Sequence, residues 1–274
     1  MRDTACTLEH MTASEPPYQL IDAHCHFDAE VFDNDRAQVL ESAISNGISD
    51  IIIPGTERCY WDRIKCLCSQ HHRLHACYGL HPYWANRHQL EDIDALKTYI
   101  EINRPVAIGE CGLDFRKHLL PETDSKARQL TFFEAQLGLA EEHHLPVVIH
   151  SVRATEAVIQ TLQKFKGLRG MIHSYSGSLE QARQLVDLGF YISLGGSVTY
   201  ENASKLRKVV QDIPLSSMLL ETDAPDQPDK QHSGQRNEPG FIRNTLEEIA
   251  RLRAESIEDI AKQTSANART LFAI

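Results

Sequence analysis

Residues 146–194 read PVVIHSVRATEAVIQTLQKFKGLRGMIHSYSGSLEQARQLVDLGFYISL, and the alternation within this stretch decides the fold. Three short apolar runs, PVVIH, GMIH and YISL, lack polar alternation, which is typical of parallel strands buried on both faces. Between them, apolar residues recur every three or four positions, as in amphipathic helices. Gly167 and Gly189 each follow a helical pattern, where glycine most easily adopts the left-handed conformation that ends a helix. The stretch therefore predicts β-α-β-α-β with parallel strands.

The same alternation continues through the rest of the chain and gives eight candidate strands. They are Leu20–His24, Asp50–Ile53, Ala76–Leu80, Val106–Glu110, Pro146–His150, Gly170–His173, Tyr191–Leu194 and Met218–Glu221. Eight βα units in about 250 residues favour a single (β/α)8 TIM-type barrel over an open sheet. A last helical pattern covers Ile257–Phe272. We predict one barrel domain at 19–274 after a polar tail at 1–18, with either Met1 or Met11 as the start.

The composition is that of a globular protein with an acidic charge balance. Among 274 residues, 28 Lys and Arg stand against 38 Asp and Glu, so the formal net charge is −10, and 42% of the residues are apolar. These values exclude a disordered chain, and the charge argues against a broad basic surface for duplex DNA. No stretch approaches the ~20 apolar residues of a membrane span, and the first residues lack the apolar core of a secretory signal. We expect neither a membrane partner nor an obligate protein partner.

The cysteines indicate a reducing compartment. The chain has seven of them, an odd number, and no CxxC pair. Disulfide frameworks belong to secreted proteins with paired cysteines, whereas unpaired thiols are typical of cytosolic ones. We therefore expect reduced thiols and a cytoplasmic location.

Histidine and carboxylate side chains recur at the carboxyl ends of the candidate strands. In chain order they are His24, His26, His81, Glu110, His150, His173 and Asp223. The carboxyl ends of barrel strands open on one face, where barrel active sites are built. A single histidine there is most often structural, but polar side chains on several strands would be buried at a cost unless they were paired or coordinated. The pattern therefore predicts a metal site at this face.

Four histidines and two carboxylates of this set are enough for two divalent ions. They are His24, His26, Glu110, His150, His173 and Asp223. Mixed imidazole and carboxylate ligation is typical of Zn, Mn, Co, Fe or Ni, whereas Mg prefers oxygen ligands and water, and the sequence leaves the choice among these metals open. Two such ions, about 3.5–4 Å apart, can share a bridging hydroxide. Two carboxylates and two divalent ions would leave a positive site that attracts an anionic substrate.

Six motifs in this order resemble the TatD family of metal-dependent hydrolases, which belongs to the amidohydrolase-like barrels. They are IDAHCHFD at 21–28, GLHP at 79–82, AIGECGLDF at 107–115, PVVIHS at 146–151, MIHSYSG at 171–177 and LLETDAPDQP at 219–228. Each motif alone is weak, but the ordered set is specific and extends over almost the whole chain after the tail. The resemblance implies a (β/α)8 fold, a pair of divalent metals and phosphodiester hydrolysis, with deoxyribonucleases among the members.

The resemblance also implies a role for each predicted ligand. His24 and His26, the HxH pair, would bind one metal. Glu110 would bridge both metals, and His150 and His173 would complete the second site.

Substrate and proton handling are assigned to further positions. The resemblance implies that Asp223 binds the first metal and handles the proton of the attacking water, which makes Asp223 and Glu110 the predicted catalytic residues. It places His81 near the substrate phosphate. Arg153 either pairs with a substrate phosphate, as arginine forks do, or caps the barrel rim. The polar loop 225–239 is expected to overhang the end of the last strand and to shape the pocket.

Other side chains near the predicted ligands have two interpretations each. Glu221 either orients a metal-bound histidine as an acceptor or forms an internal ion pair. Asp114 and Arg116 either line the mouth of the site or form a loop salt bridge. Tyr83 and Trp84 either stack on bases or fill space between helix and barrel.

These patterns favour a divalent-metal-dependent phosphodiesterase, a hydrolase of ester bonds with deoxyribonuclease activity, in which a metal-bridged hydroxide attacks phosphorus. The expected substrate is a phosphodiester, with single-stranded DNA or nucleotides as candidates. An alternative is a metal-dependent ester or amide hydrolase acting on an aminoacylated nucleotide or a small molecule. Glu110 argues against the barrels that use a carbamylated lysine at the fourth strand, but it does not separate phosphorus from carbonyl chemistry. A non-catalytic binding scaffold would lack a ligand, and none is missing.

Overall fold

The computed structural model describes residues 18–274, and its strands form one parallel sheet of eight. They are β1 Leu20–Asp22, β2 Ile48–Pro54, β3 Leu74–Tyr78, β4 Ala107–Asp114, β5 Val147–Val152, β6 Gly170–Ile172, β7 Phe190–Leu194 and β8 Met218–Leu220. The strand order in the sheet is the order in the sequence, and each strand pairs in parallel with the next. Continuous apolar runs allow this, since both faces of such a sheet are covered.

The first and last strands meet, so the sheet closes into a barrel. The Asp223 N–H, just after β8, donates to the His24 carbonyl, just after β1, at 2.9 Å. The buried Asp22 carboxylate accepts hydrogen bonds from the Thr222 N–H at 2.9 Å and the Thr222 hydroxyl at 2.6 Å. Side chains as well as backbone groups therefore hold the closure, and the predicted (β/α)8 barrel is confirmed.

Nine α-helices surround the strands within residues 18–274. They are α1 Arg36–Ser45, α2 Trp61–Gln70, α3 Glu91–Asn103, α4 Ser125–His143, α5 Thr155–Leu162, α6 Leu179–Asp187, α7 Ser204–Asp212, α8 Ile242–Arg253 and α9 Ile257–Phe272. The helices α1 to α8 each follow the strand of the same number, and α9 packs against β1 and β8. The bounds of α9 coincide with the predicted helical run.

All eight predicted strands are present, with shifted ends. The strand β1 ends at Asp22, two residues earlier than predicted, so both histidines of the HxH motif lie in the loop that follows. The strand β4 continues to Asp114, four residues beyond its predicted end. Gly167 and Gly189 both have φ of 88°, as expected for residues that end helices.

Alternate strand residues belong to two apolar layers. Ile21, Ile52 and Val148 belong to a core that also includes Leu271 and Phe272 of α9, and all five side chains are almost fully buried. The strand residues that alternate with these along each strand belong to a second layer, which is shared with the helices. The two-residue period of a strand produces this division. The apolar interior supports the polar side chains at the carboxyl ends of the strands from below.

The predicted tail falls almost entirely outside the described residues, which begin at Tyr18. Tyr18 itself packs against the outer apolar layer. Its hydroxyl accepts a hydrogen bond from Arg243 Nη2 at 3.2 Å. Among the helices of residues 18–274, none combines the length and the apolar character needed to cross a bilayer.

Candidate metal centre

The six predicted ligands lie together at the carboxyl end of the barrel. Glu110 and His150 project from β4 and β5, whereas the other four occupy the loops directly after β1, β6 and β8. Five of the six side chains are buried, and only His26 is partly exposed. Titratable groups buried this deeply require partners or ions.

An irregularity in β4 turns Glu110 toward the centre of the barrel. The pairing of β4 with β5 shifts between Ile108 and Cys111, as in a β-bulge, which re-aims a side chain. Gly112 follows with φ of +132°, and a Cβ at this position would lie 2.1 Å from the His150 carbonyl oxygen. Glycine therefore permits the close pairing that brings the two ligand strands together.

His24, His26 and Asp223 form what we call the first donor group. The two Nε2 atoms are 3.4 Å apart, and Asp223 Oδ1 lies 3.4 Å from His24 Nε2 and 3.6 Å from His26 Nε2. Three donor atoms from two loops thus converge on one point, with the spacing of ligands that share a cation.

His150, His173 and Glu110 form the second donor group. Glu110 Oε1 lies 2.9 Å from His150 Nδ1 and 3.0 Å from His173 Nε2, and the two ring nitrogens are 3.3 Å apart. The group comes from β4, β5 and the end of β6, on the side of the barrel away from the closure.

The other oxygen of Glu110 faces the first donor group. Oε2 lies 3.3 Å from His24 Nε2 and 3.4 Å from His26 Nε2. This buried oxygen has no hydrogen-bond partner among the described residues. An orphaned carboxylate oxygen surrounded by imidazole nitrogens fits a divalent cation, because the cation would satisfy all of their lone pairs at once. The donor set therefore fits two cations that share Glu110.

Two outer carboxylates select the nitrogen that each histidine of the second donor group presents. His150 Nε2 lies 3.1 Å from Asp114 Oδ2, and His173 Nδ1 lies 3.4 Å from Glu221 Oε1. Because an ionised carboxylate only accepts, His150 Nε2 carries the proton and its Nδ1 keeps the lone pair; Glu221 faces His173 Nδ1 without a hydrogen bond and favours the proton on that nitrogen. The lone pairs of His150 Nδ1 and His173 Nε2 therefore point toward Glu110 and are free for a metal.

His81 has the opposite arrangement and acts as a donor. Its Nδ1 accepts a hydrogen bond from the Tyr83 N–H at 3.0 Å, so Nε2 carries the proton and donates to Glu110 Oε1 at 3.0 Å. Burial lowers the pKa of His81 to about 4, so the ring is neutral at pH 7. Although His81 lies at ligand distance from Glu110 and His150, this tautomer makes it a hydrogen-bond donor toward the cavity rather than a ligand.

Contacts with the surrounding histidines keep the carboxylates of the centre ionised. Burial alone would raise the pKa of Glu110, but the surrounding histidines, His81 foremost, hold it well below its ordinary value. Asp223 follows the same pattern, with a hydrogen bond to His24 outweighing its burial and lowering its pKa. Burial would lower the pKa of His26, but Glu110 raises it to about 9. Both carboxylates are therefore available as ligands at neutral pH.

A cavity of about 1000 Å³ opens above the donor groups. The loops after β3 and β4 contribute Tyr83 and Arg116 to its lining. The loops after β6 and β7 and the start of α7 contribute Ser174, Ser197 and Lys205. Cations, an aromatic ring and hydroxyl groups thus surround a buried set of metal-ligand side chains.

The structure does not bring Arg153 to this cavity. Arg153 is exposed, and the cavity is lined by Arg116 instead. Arg116 also forms the salt bridge with Asp114, which is itself fully buried, so the pair is a salt bridge of which Arg116 alone lines the mouth. Asn202 and Lys205 line the cavity as well. Their position directly after the seventh strand is the sequence feature that could have placed them at the cavity.

Gln227 is a contact of the centre that sequence reasoning did not single out. Its Nε2 donates to Asp223 Oδ2, and its Oε1 accepts hydrogen bonds from Ser174 Oγ at 2.8 Å and Ser197 Oγ at 3.3 Å. The two hydroxyl donors fix the direction of the amide, so its NH₂ group faces Asp223. The predicted overhanging loop 225–239 supplies this residue, but no residue pattern distinguishes it from its polar neighbours.

Fold and site together define a (β/α)8 barrel with a cluster of metal-ligand side chains at the carboxyl ends of its strands. The chain belongs to the family of TatD-related DNases, whose model matches residues 21–273. The resemblance seen in the motifs is thereby confirmed.

Relatives share this architecture over nearly their whole length. The metal-dependent hydrolase YjjV of Escherichia coli K12 is 38% identical over 258 residues, which cover 93% of this chain and 98% of the relative. A crystal structure of YjjV matches with a TM-score of 0.88 and 36% identity, over 93% of this chain and 98% of that one. The 3'-5' ssDNA/RNA exonuclease TatD of Pantoea ananatis is 32% identical over 266 residues, which cover 93% of this chain and 100% of the relative.

Proposed function

We propose that this protein is a divalent-metal-dependent phosphodiesterase that cleaves single-stranded nucleic acid. The observation that carries the proposal is Glu110, whose two oxygens face two separate donor groups. Carboxylate-bridged pairs of divalent ions are the usual means of hydrolysing phosphate esters. The proposed ligands are His24, His26 and Asp223 for one ion, His150 and His173 for the other, and Glu110 for both.

The metals supply the electrophilic part of the chemistry. When bound, two divalent cations would lower the pKa of an attacking water and offset the charge that develops on the phosphate. Asp223 has an oxygen for each of two tasks: Oδ1 faces the histidines of the first donor group, and Oδ2 faces Gln227 in the cavity. Because the carboxylate is ionised, it can accept the proton of the attacking water at Oδ2.

His81 binds the substrate in this proposal. Its Nε2–H donates to Glu110 Oε1 beside the cavity and would turn to a non-bridging phosphate oxygen once cations occupy the Glu110 carboxylate. With a pKa of about 4, the ring stays a neutral donor across the working pH range. It therefore orients the phosphate without adding a proton that could compete for Glu110.

The depth of the centre favours a single strand. Glu110 is 1% exposed and His173 4% exposed at the base of the cavity. Enzymes whose reacting groups lie this deep act on single strands or on extruded nucleotides, because a stacked duplex cannot bring its reacting atoms there. The relative named as a single-strand exonuclease supports the same substrate class.

A substrate panel tests the proposal. Purified protein loaded with Mn, Mg, Co, Zn or Ni would be assayed on end-labelled single-stranded DNA, duplex DNA, bis-p-nitrophenyl phosphate and p-nitrophenyl acetate, with and without EDTA. We expect metal-dependent cleavage of the single strand and of the phosphodiester, and slow cleavage of the duplex. Hydrolysis of the acetate alone would overturn the proposal and favour carbonyl chemistry.

The remaining expectations become parts of the same proposal. Two metals per chain are proposed from the donor set, and metal analysis of the purified protein would identify them. A cytoplasmic location is supported by the six cysteines of the described residues, all of which are free thiols. We also retain a single barrel domain at 19–274 that needs no protein partner.

A further inference from the structure

Tyr83 is a large aromatic side chain that lines the cavity and yet is 38% exposed. It lies in the 3-10 turn Pro82–Trp84, directly after His81. The Tyr83 backbone N–H donates a hydrogen bond to His81 Nδ1, and the Tyr83 ring packs edge-on against the Trp84 ring, with 4.5 Å between centroids. These two contacts fix its position. Since His81 also contacts Glu110, the Tyr83 ring stands at a defined place beside the proposed cleavage position.

Arg116 lies next to this ring. Its Cζ is 5.6 Å from the centroid of Tyr83. Its Nε and Nη2 bind Asp114 Oδ2 at 2.9 and 2.5 Å. Its Nη1 makes no hydrogen bond to any residue in 18–274, and the side chain is 37% exposed in the lining of the cavity. One edge of the guanidinium is therefore held in place while the other presents free N–H groups to solvent.

Asp114 connects this guanidinium to the metal centre. The Asp114 oxygen that binds Arg116 also contacts His150 Nε2, and His150 Nδ1 faces Glu110. Arg116 is thus separated from Glu110 by one carboxylate and one imidazole ring. That separation places it outside the reacting atoms, where it would meet a neighbouring unit of a longer substrate.

We propose that Tyr83 and Arg116 form a nucleotide subsite beside the cleavage position. A base stacks on the Tyr83 ring, and the adjacent phosphate of the strand binds Arg116 Nη1. Aromatic rings and arginine forks are the usual partners of these two groups. The proposal rests on the phosphodiesterase function and narrows its substrate to oligonucleotides with at least one further phosphate next to the cleaved bond.

Matched oligonucleotides test the stacking half. One has a normal nucleotide next to the cleaved bond, and the other has a tetrahydrofuran abasic unit there. In the unmodified protein, loss of the base should lower kcat/KM about 5- to 150-fold, the effect of one stacked base. In Tyr83→Ala the two substrates should differ by less than about threefold. Tyr60→Ala is the control, because Tyr60 is 37% exposed in another 3-10 turn and lies outside the cavity lining.

A neutral linkage tests the phosphate half. Replacing the neighbouring phosphate with a methylphosphonate should lower kcat/KM at least about tenfold, the effect of a charge-assisted hydrogen bond. Arg116→Gln should remove this difference between the substrates, and Arg116→Lys should keep part of it. If Arg116 only supports Asp114, its substitution would slow both substrates equally and the difference would persist.

The outcomes distinguish a failure of the proposed subsite from a failure of the proposed phosphodiesterase function. If the unmodified protein cleaves no oligonucleotide, the phosphodiesterase proposal itself fails. If it cleaves all of them and neither variant changes the ratio between matched substrates, the subsite is overturned while the function stands.

Discussion

Each histidine of the second donor group has an outer carboxylate facing one ring nitrogen, which leaves the other nitrogen directed at Glu110. Asp114 holds His150, and Glu221 holds His173. Glu221 also accepts hydrogen bonds from the Ser174 N–H and the Ser193 hydroxyl, at 2.5 Å each. The carboxylates are therefore fixed by their own partners, and the ligand nitrogens are oriented before any metal arrives.

We expect Asp223→Asn to lower kcat by at least about 10²-fold at saturating metal, because an amide cannot accept the proton of the attacking water. The backbone tolerates the change, since Asp223 has φ of 58°, a conformation that Asn adopts readily. Steady-state kinetics with titrated metal would measure the effect.

The control for this variant is Asp226→Asn, a neighbouring exposed carboxylate on the same cavity. Its side chain makes no hydrogen bond to either donor group within residues 18–274, and we expect the rate of this variant to change only a few-fold. A near-normal rate in Asp223→Asn would remove Asp223 from the catalytic residues.

Glu110→Gln should lose metal occupancy and rate together. An amide supplies one ligating oxygen rather than two, so both donor groups lose a shared partner. Metal analysis after gel filtration should find fewer than two ions per chain, while circular dichroism shows a folded barrel. Glu141→Gln, on the exposed face of α4, provides the control. Two tightly held ions in Glu110→Gln would contradict the bridging role.

The positions of the proposed ligands could be predicted from sequence, whereas the sequence left open which arginine lines the cavity. Strand ends are set by hydrophobic pattern, and the carboxyl ends of barrel strands share a face, so side chains such as His24 and Asp223 were predictable. The direction of a loop side chain depends on local backbone and partners. Arg153 has φ of 54° and is exposed, while Asp114 draws Arg116 toward the cavity. The residue types alone do not distinguish these two arginines.

Among the elements, β4 departs furthest from its predicted bounds. Apolar runs predicted its beginning, but its last four residues, CGLD, contain a glycine and a carboxylate that normally end strands. Gln129 overrides this preference: its side chain accepts from the Asp114 N–H at 2.8 Å and donates to the Asp114 carbonyl at 2.9 Å. Tertiary contacts from α4 thus extend the strand, and these contacts are not visible in a local pattern.

The loop 225–239 contributes a testable contact through Gln227. We expect Gln227→Glu to lower kcat about tenfold near pH 7, because a hydrogen-bond donor to Asp223 is replaced by a like charge. A like charge raises the pKa of the Asp223 carboxyl. As the pH is lowered, the variant should therefore lose activity at a higher pH than the unmodified protein does. The pH dependence of kcat would measure this.

Gln231→Glu makes the same chemical change four residues further along the loop, at an exposed position outside the cavity lining. Its pH profile should match that of the unmodified protein. Equal shifts in both variants would mean that Gln227 acts only through the general charge of the loop.

At the scale of the whole molecule, the metals should support the fold as well as the chemistry. Because each donor group joins side chains from different strands or loops that come together only in the folded barrel, bound ions stabilise the native state alone. An ion at 100 times its Kd contributes about 2.7 kcal/mol, so chelation should lower Tm by about 5–10 °C for a chain of this size. Activity should disappear with EDTA and return with Mn or Co. Unchanged Tm and full activity after extended dialysis against chelator would contradict the two-metal centre.

The closure of the barrel has a consequence for how the protein is made. His24 and Asp223 belong to the same donor group, and the Asp223 N–H donates to the His24 carbonyl at the seam between β1 and β8, although the two residues lie 199 positions apart in the chain. During synthesis, the chain contains every member of the second donor group once residue 173 has been added. The first donor group is complete only after residue 223 has left the ribosome. A truncated chain that ends before residue 223 therefore lacks a complete centre and is catalytically inactive.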